Sequence, residues 1–297
     1  MSSASAESSV LLVSCGRNPI HLIDAYSGRT RATYKAFNHL EQLDSAHSLA
    51  FSPDGEKIYA GFNGLLRVFY TSLPGSSFFE MPIESDVYVQ KGILSCIAFN
   101  PKETNMFAVG SYSKDISLNR ESDQVAIHVL KGQKGGVTHI QFSEDGRRLL
   151  SGGRKDTEIL CWDLRNLGTI LSVYKRSVHT NQTFSFDMKE DTLFSGNDNG
   201  FISVWDLKQG KEGTQVVETP SQSFKGHEDC VNGISVHPSL PIIVSCSGSR
   251  KFPELTSDDE DERFFSTTKA VSLVNDNCLK LWQFQENAVE FQENAVE

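Results

Sequence analysis

Two segments of the chain close on one pattern, ILCWDL around Trp162 and ISVWDL around Trp205, and the two tryptophans stand 43 residues apart. Self-similarity at a period of about 40–45 residues, ending in Trp-Asp, is the mark of a β-propeller, in which each copy is one small antiparallel sheet. Looser matches put Ile23, Phe69, Asn119 and Trp282 in the same register. The predicted fold is therefore all-β, a WD-repeat β-propeller with about six recognisable blades.

Each copy opens with an apolar run, a polar turn and a second apolar run, as in LAFSPDGEKIYAGF (49–62), IAFNPKETNMFAVGSY (97–112) and IQFSEDGRRLLSGG (140–153). That is the strand-turn-strand signal. Weaker copies occur at FSFDMKEDTLFSGN (184–197) and ISVHPSLPIIVSCS (234–247). A single blade cannot bury both faces, so neighbours must supply the core. The stretch from 10 to 37 reads as strands two, three and four of a blade that lacks its first strand, so the N-terminal blade is incomplete.

The predicted domains are a flexible N-terminus at 1–9, the propeller at 10–284, and a tail at 285–297 that repeats FQENAVE unchanged and stands outside the fold. The interval between Trp205 and Trp282 is 77 residues, which leaves an insertion of about 30 in the last blade, between about 250 and 275. Its TSDDEDE core is acidic and reads as disordered. Thr256 and Ser257, just before that run, are candidates for an acidophilic kinase.

Six residues before the tryptophan position a short polar or turn-forming residue closes the second turn: Arg17, Asn63, Ser113, Asp156, Asn199 and Asp276. In the last copy His227, Ser245, Asp276 and Trp282 are expected to form one buried hydrogen-bonded network, with Asp156, Trp162 and Trp205 as its counterparts elsewhere. These residues are read as structural.

The six cysteines form no C-x-x-C pair and no metal-ligand spacing with histidine, and read as small buried hydrophobes. There is no nucleophile elbow and no glycine-rich phosphate loop. The expectation is a scaffold, not an enzyme, with no cofactor and no metal. Residues 1–9 lack a basic n-region and no apolar run reaches the ~18 residues of a membrane span, so neither secretion nor membrane insertion is indicated and a reducing intracellular compartment follows.

Four strings go beyond the general repeat: FNHLEQLDSAHSLAFSPDG (37–55), GRKDTEILCWDLR (153–165), TNQTFSFD (180–187) and GHEDCVNGISVHPSLP (226–241). From about Ser9 to Trp282, with the acidic insertion in place, the chain resembles the telomerase Cajal body protein family. The resemblance implies an RNA-binding propeller that recognises the CAB box of H/ACA small Cajal-body RNAs and of telomerase RNA. It further implies that these ribonucleoproteins are delivered to Cajal bodies in the nucleus, and telomerase onward to telomeres. Implied partners are those RNAs with their core ribonucleoprotein, and Cajal-body scaffold proteins, with no membrane. The family has seven blades and at least one more before the position of Ser9, and the chain departs from it there.

In a propeller the loops from strand two to three and from strand four to the next strand one share a face. That placement collects Arg17, Lys91, Lys114, Lys134, Arg154, Lys155, Arg176, Arg250 and Lys251, in a chain whose net charge is −10. Cations on one face of an acidic protein favour a local polyanion contact over general nucleic-acid coating. Tyr112, Phe62, His39, His179, Asn181 and Gln182 fall in the same loops as candidates to stack on or hydrogen-bond bases. A rival reading is a protein-interaction hub. Trp162-Asp163-Leu164-Arg165 fits the WDxR pattern of substrate receptors of cullin ubiquitin ligases, with Arg165 as the docking residue.

Overall fold

The computed structural model describes residues 9–81, 83–85, 88–122, 126–207, 215–248, 277–285 and 288–294. These residues build six blade sheets and two small two-stranded hairpins. Arg250, Lys251, Thr256, Ser257, Asp276, the acidic insertion and residues 1–8 lie outside them.

The chain divides into two compact units, Met1–Phe184 with Leu207–Pro220, and Ser185–Asp206 with Ser221–Glu297. The first unit holds four blades. Blade one has three strands, Val10–Val13, Ile20–Asp24 and Thr30–Tyr34. Blade two is Ser48–Phe51, Lys57–Gly61, Leu66–Tyr70 and Phe79–Met81. Blade three is Leu94–Phe99, Met106–Ser111, Ile116–Arg120 and Ala126–Leu130. Blade four is Val137–Phe142, Arg148–Gly153, Glu158–Asp163 and Thr169–Lys175. The second unit holds blade five, Phe186–Lys189, Thr192–Gly196, Phe201–Asp206 and Gln222–Lys225, and blade six, Val231–Val236, Ile242–Ser247, Leu279–Gln285 and Ala288–Asn294.

The register read from the tryptophans holds in every blade. Ile23, Phe69, Asn119, Trp162, Trp205 and Trp282 each pair with an equivalent position of the second strand: Leu11, Ile58, Phe107, Leu149, Leu193 and Ile243. Hydrophobic clusters form between neighbours, as periodic burial requires. One joins Tyr34 to Ile58 and Phe69, a second Tyr59 to Phe107, a third Met106 to Trp162, and a fourth Phe194 to Trp282.

Hydroxyls stitch the first unit where the blades meet. Ser14 Oγ donates to the Ala46 carbonyl and Ser48 Oγ to that of Leu94, both at 2.8 Å, and Ser95 Oγ to that of Val137. In the second unit Gly196 must be glycine, since a Cβ there would lie 2.1 Å from the Val231 carbonyl oxygen.

Two features differ from the sequence reading. The described part of the C-terminal segment is not outside the fold: Ala288–Asn294 pairs antiparallel with Leu279–Gln285, with Phe291 in register with Phe284, as the fourth strand of blade six. Gln215–Val217 adds a fifth, parallel strand to the outer edge of blade four. It covers backbone groups that a bare edge would leave unpaired.

Candidate nucleic-acid interface

The turn between the second and third strand contains one residue at positive φ in each of the five blades where it is described. The residues are Arg17 (62°), Gly64 (74°), Lys114 (76°), Lys155 (49°) and Gly200 (84°). Left-handed backbone suits glycine and disfavours residues with a Cβ. Three of these turns nevertheless carry Arg or Lys.

Hydrogen bonds tie these turns to the loops that lead into their own blade or into the next one. Arg17 N donates to Ser45 Oγ at 2.7 Å, Gly64 N to the Gly92 carbonyl at 2.8 Å and Ser113 Oγ to the Lys91 carbonyl at 2.9 Å. Tyr112 N donates to the Ile93 carbonyl, Arg154 N to that of Gly136 and Lys155 N to that of Thr180, each at 3.0 Å. Within the first unit the turns and loops therefore form a continuous arc, carrying Lys91, Lys114 and Lys155 as exposed cations and Arg154 half-buried, its guanidinium carbon 4.0 Å from the Tyr112 ring centroid. Arg17 is exposed at the blade-one end. None of these five side chains meets a carboxylate among the described residues. His179 and Asn181 are exposed and Gln182 half-buried in the loop that receives Lys155. His39 is exposed at the tip of the hairpin formed by Ala36–Phe37 and Leu43–Asp44.

Other candidates have different work. Arg176 is 5% exposed and donates to the Gly153 carbonyl at 3.3 Å. Burial pulls its pKa down to about 10 against the field of Asp156, so it is an internal cation and not a surface contact. Lys134 is exposed but held by Glu158, which also binds Lys175. Burial of Glu158 pushes its carboxyl up, and the two lysines outweigh that, leaving it below the usual carboxylate range. Phe62 is fully buried, beneath the guanidinium of Arg67, and offers no face to a base.

The blade networks extend further than the sequence indicated. In blade six Trp282 Nε1 donates to Ser245 Oγ at 2.8 Å, and Ser245 Oγ shares a 2.7 Å hydrogen bond with His227 Nε2. His227 Nδ1 meets Cys278 Sγ at 3.2 Å. In blade four Trp162 Nε1 donates to Ser151 Oγ at 2.9 Å, Ser151 donates to Gln133 Oε1 at 2.7 Å, and Gln133 Nε2 donates to Asp156 Oδ2 at 2.8 Å. Gln133 occupies the position of the histidine. Blade three makes a related chain from Asn119 through Ser117 to Gln90, with the hydroxyl supplied by the third strand instead of the second. Trp205 is buried in blade five. Asp156 also accepts from Gly135 N at 2.7 Å, so the network anchors the loop that carries Lys134. Of the cysteines, Cys161 and Cys230 are buried, while Cys15 and Cys246 are exposed, against expectation.

Comparison with known proteins gives the context. The WD domain, G-beta repeat family model matches residues 124–163 and 218–251. Each match runs from the last strand of one blade through strands of the next. Telomerase Cajal body protein 1 of Mus musculus is 44% identical over 95% of this chain and 54% of its own length. Guanine nucleotide-binding protein negative regulator 1 of Schizosaccharomyces pombe is 31% identical over 93% of this chain and 70% of its own length. A chain of the solved Crystal Structure of Mitotic Checkpoint Complex superposes with a TM-score of 0.66 at 18% identity, over 97% of this chain and 77% of that one, which shows the fold alone. The fold is a WD-repeat β-propeller. The chain spans about half the length of the curated Telomerase Cajal body protein 1 relatives it matches.

Proposed function

Since the chain belongs to the telomerase Cajal body protein 1 family of WD-repeat proteins, we propose that it is an RNA-binding scaffold. It recognises the CAB box of H/ACA small Cajal-body RNAs and of telomerase RNA, and directs these ribonucleoproteins to nuclear Cajal bodies, with telomerase passing on to telomeres. Its partners are those RNAs with their core ribonucleoprotein, and Cajal-body scaffold proteins. Its work is binding, not catalysis.

One observation carries this reading. Among the described residues, Arg17, Lys91, Lys114, Arg154 and Lys155 have no carboxylate partner on the turns and loops of one unit, in a protein of net charge −10, and three of them are held in left-handed backbone. Acidic side chains are abundant enough to neutralise every cation, so unpaired ones gathered on consecutive turns favour an external polyanion. Single-stranded loops expose both phosphates and unstacked bases, which matches an arc that offers lysines beside Tyr112 and Arg154.

The test is crosslinking and sequencing of RNA retained by the chain from nuclear extract. H/ACA RNAs should be enriched, and enrichment should disappear when their CAB boxes are mutated. Recovery of a cullin adaptor with no small RNA would overturn the reading in favour of the interaction hub. Against that rival, Arg165 Nε and Nη2 are both held by its own Asp163 at 2.9 Å, which leaves less of the guanidinium for a partner.

A further inference from the structure

Two arginines of the first unit lie over aromatic rings, and their surroundings differ. Arg67 is 4% exposed, stacked between Phe62 at 4.6 Å and Phe78 at 5.0 Å, and neutralised by Asp44 and Glu80, each at 3.1 Å. All of its binding capacity faces the protein, and it is a structural rivet. Arg154 lies closer to its ring, 4.0 Å from the Tyr112 centroid, yet it is half-buried and makes no ion pair or side-chain hydrogen bond among the described residues.

The geometry holding the second pair is built. Tyr112 and Arg154 each follow directly on the second strand of their blades, at equivalent places in blades three and four. Their amides are fixed to the carbonyls of Ile93 and Gly136. Gly136 lets the blades close here, because a Cβ on it would sit 2.8 Å from the Tyr112 carbonyl oxygen and 3.3 Å from Arg154 Nε. Lys114 and Lys155, both without ion pairs among the described residues, flank the pair along the sequence.

A guanidinium is a planar fork of N–H donors with no acceptor. Stacked on a tyrosine it loses rotational freedom and still keeps those donors. The complementary ligand is a planar ring with two adjacent acceptors on one edge. Among the bases that describes guanine, whose O6 and N7 both accept, and not adenine, whose N6 donates beside N7. Resting on the RNA-binding reading above, we infer that the Arg154–Tyr112 pair is a base-reading site that takes one unpaired guanine by its O6/N7 edge, while Lys114 and Lys155 hold the adjoining phosphates. Arg154 is then a specificity-determining residue, and Tyr112 positions it.

The test uses the full chain and labelled RNA hairpins whose uridine loop carries a single guanine, adenine or 7-deazaguanine, which lacks the N7 acceptor. Wild-type protein should bind the guanine loop about tenfold more tightly than either alternative. Arg154→Lys keeps the charge and removes the fork, so it should bind all three loops alike with an unchanged salt slope. Tyr112→Leu should lose most of the discrimination. Because the 7-deazaguanine comparison needs no variant, a folding defect in either mutant leaves the question decidable. Equal wild-type binding of the three loops, with affinity that still falls with salt, would overturn the guanine site and leave the RNA reading standing. Absence of binding to any hairpin would overturn both. Tighter binding of an acidic peptide than of any hairpin would assign the pair to a protein ligand and likewise overturn the inference.

Discussion

Replacing Lys114 and Lys155 together by glycine should make the protein more stable and a poorer RNA binder. Both residues sit at positive φ, 76° and 49°, where blades two and five use Gly64 and Gly200. A side chain in left-handed backbone costs roughly 1–2 kcal/mol. Glycine returns about 0.5–1 kcal/mol of that through the greater freedom of the unfolded chain. The net gain is about 0.5–1 kcal/mol per site, or about 1–2 kcal/mol for both, since they lie in separate blades without a shared partner.

Binding moves the other way. Each lysine on a single-stranded phosphate contributes about 0.7 to the slope of log affinity against log salt, so the double variant should lose about 1.4. Raising salt from about 50 to about 200 mM should then shrink the affinity gap between wild type and variant about sevenfold. Urea unfolding and fluorescence anisotropy with a CAB-box hairpin measure the two quantities. The Lys114→Gln/Lys155→Gln control removes charge and leaves the backbone strain, so it should match the binding loss without the stability gain. A glycine variant that binds with the wild-type salt slope would refute the phosphate contacts, and one less stable than wild type would refute the strain argument.

Other outcomes follow from the packing. Ser151→Ala strands two buried groups, Trp162 Nε1 and Gln133 Oε1, and should cost about 2–4 kcal/mol in urea unfolding; a loss under about 1 would mean the two groups find other partners. Gly196→Ala drives a methyl group into the Val231 carbonyl and should cost about 3 kcal/mol, while Gly16→Ala, with open space around it, should leave the melting temperature unchanged. Glu158 has a depressed folded pKa, so its contribution is complete above the ordinary value of 4.5 and is lost as pH falls through the lower folded value. The stability gap between wild type and Glu158→Gln should therefore narrow on acidification, and a gap independent of pH would show that its ion pairs with Lys134 and Lys175 do not matter.

The blades were legible because their signal is periodic twice over, at two residues within strands and at 43–50 residues between the register positions Ile23, Phe69, Asn119, Trp162 and Trp205. Even Asn119, which lacks the indole, was placed correctly by spacing. Gln90 and Gln133 carry no motif signature as histidine does, although an amide supplies the same donor and acceptor. The usable signal was distance: Gln90 and Gln133 each precede their Asn119 or Trp162 partner by 29 residues. The charge of Arg176 suggests a surface cation, but the residue continues the inward alternation of Ser172, Tyr174 and Val178, and that alternation outweighs the charge. The strand at Gln215–Val217 is too short to show a pattern, and its pairing depends on a neighbour that sequence does not reveal.

What separates the cations of the first unit is neutralisation, not burial alone. Arg67 and Lys134 are matched by carboxylates on neighbouring strands and loops, as a folding chain with excess acid would arrange by default. The arc escapes that default, although grouping like charges opposes folding through repulsion and left-handed lysines add strain. A polyacidic peptide could relieve the repulsion as well as RNA, but it lacks a condensed counterion layer, so its affinity would respond to salt through screening alone. It also has no π-face to set against a guanidinium already held on Tyr112. The phosphates explain the lysines and the bases explain the stacked arginine, and single-stranded RNA is the ligand that brings both to the same few ångströms.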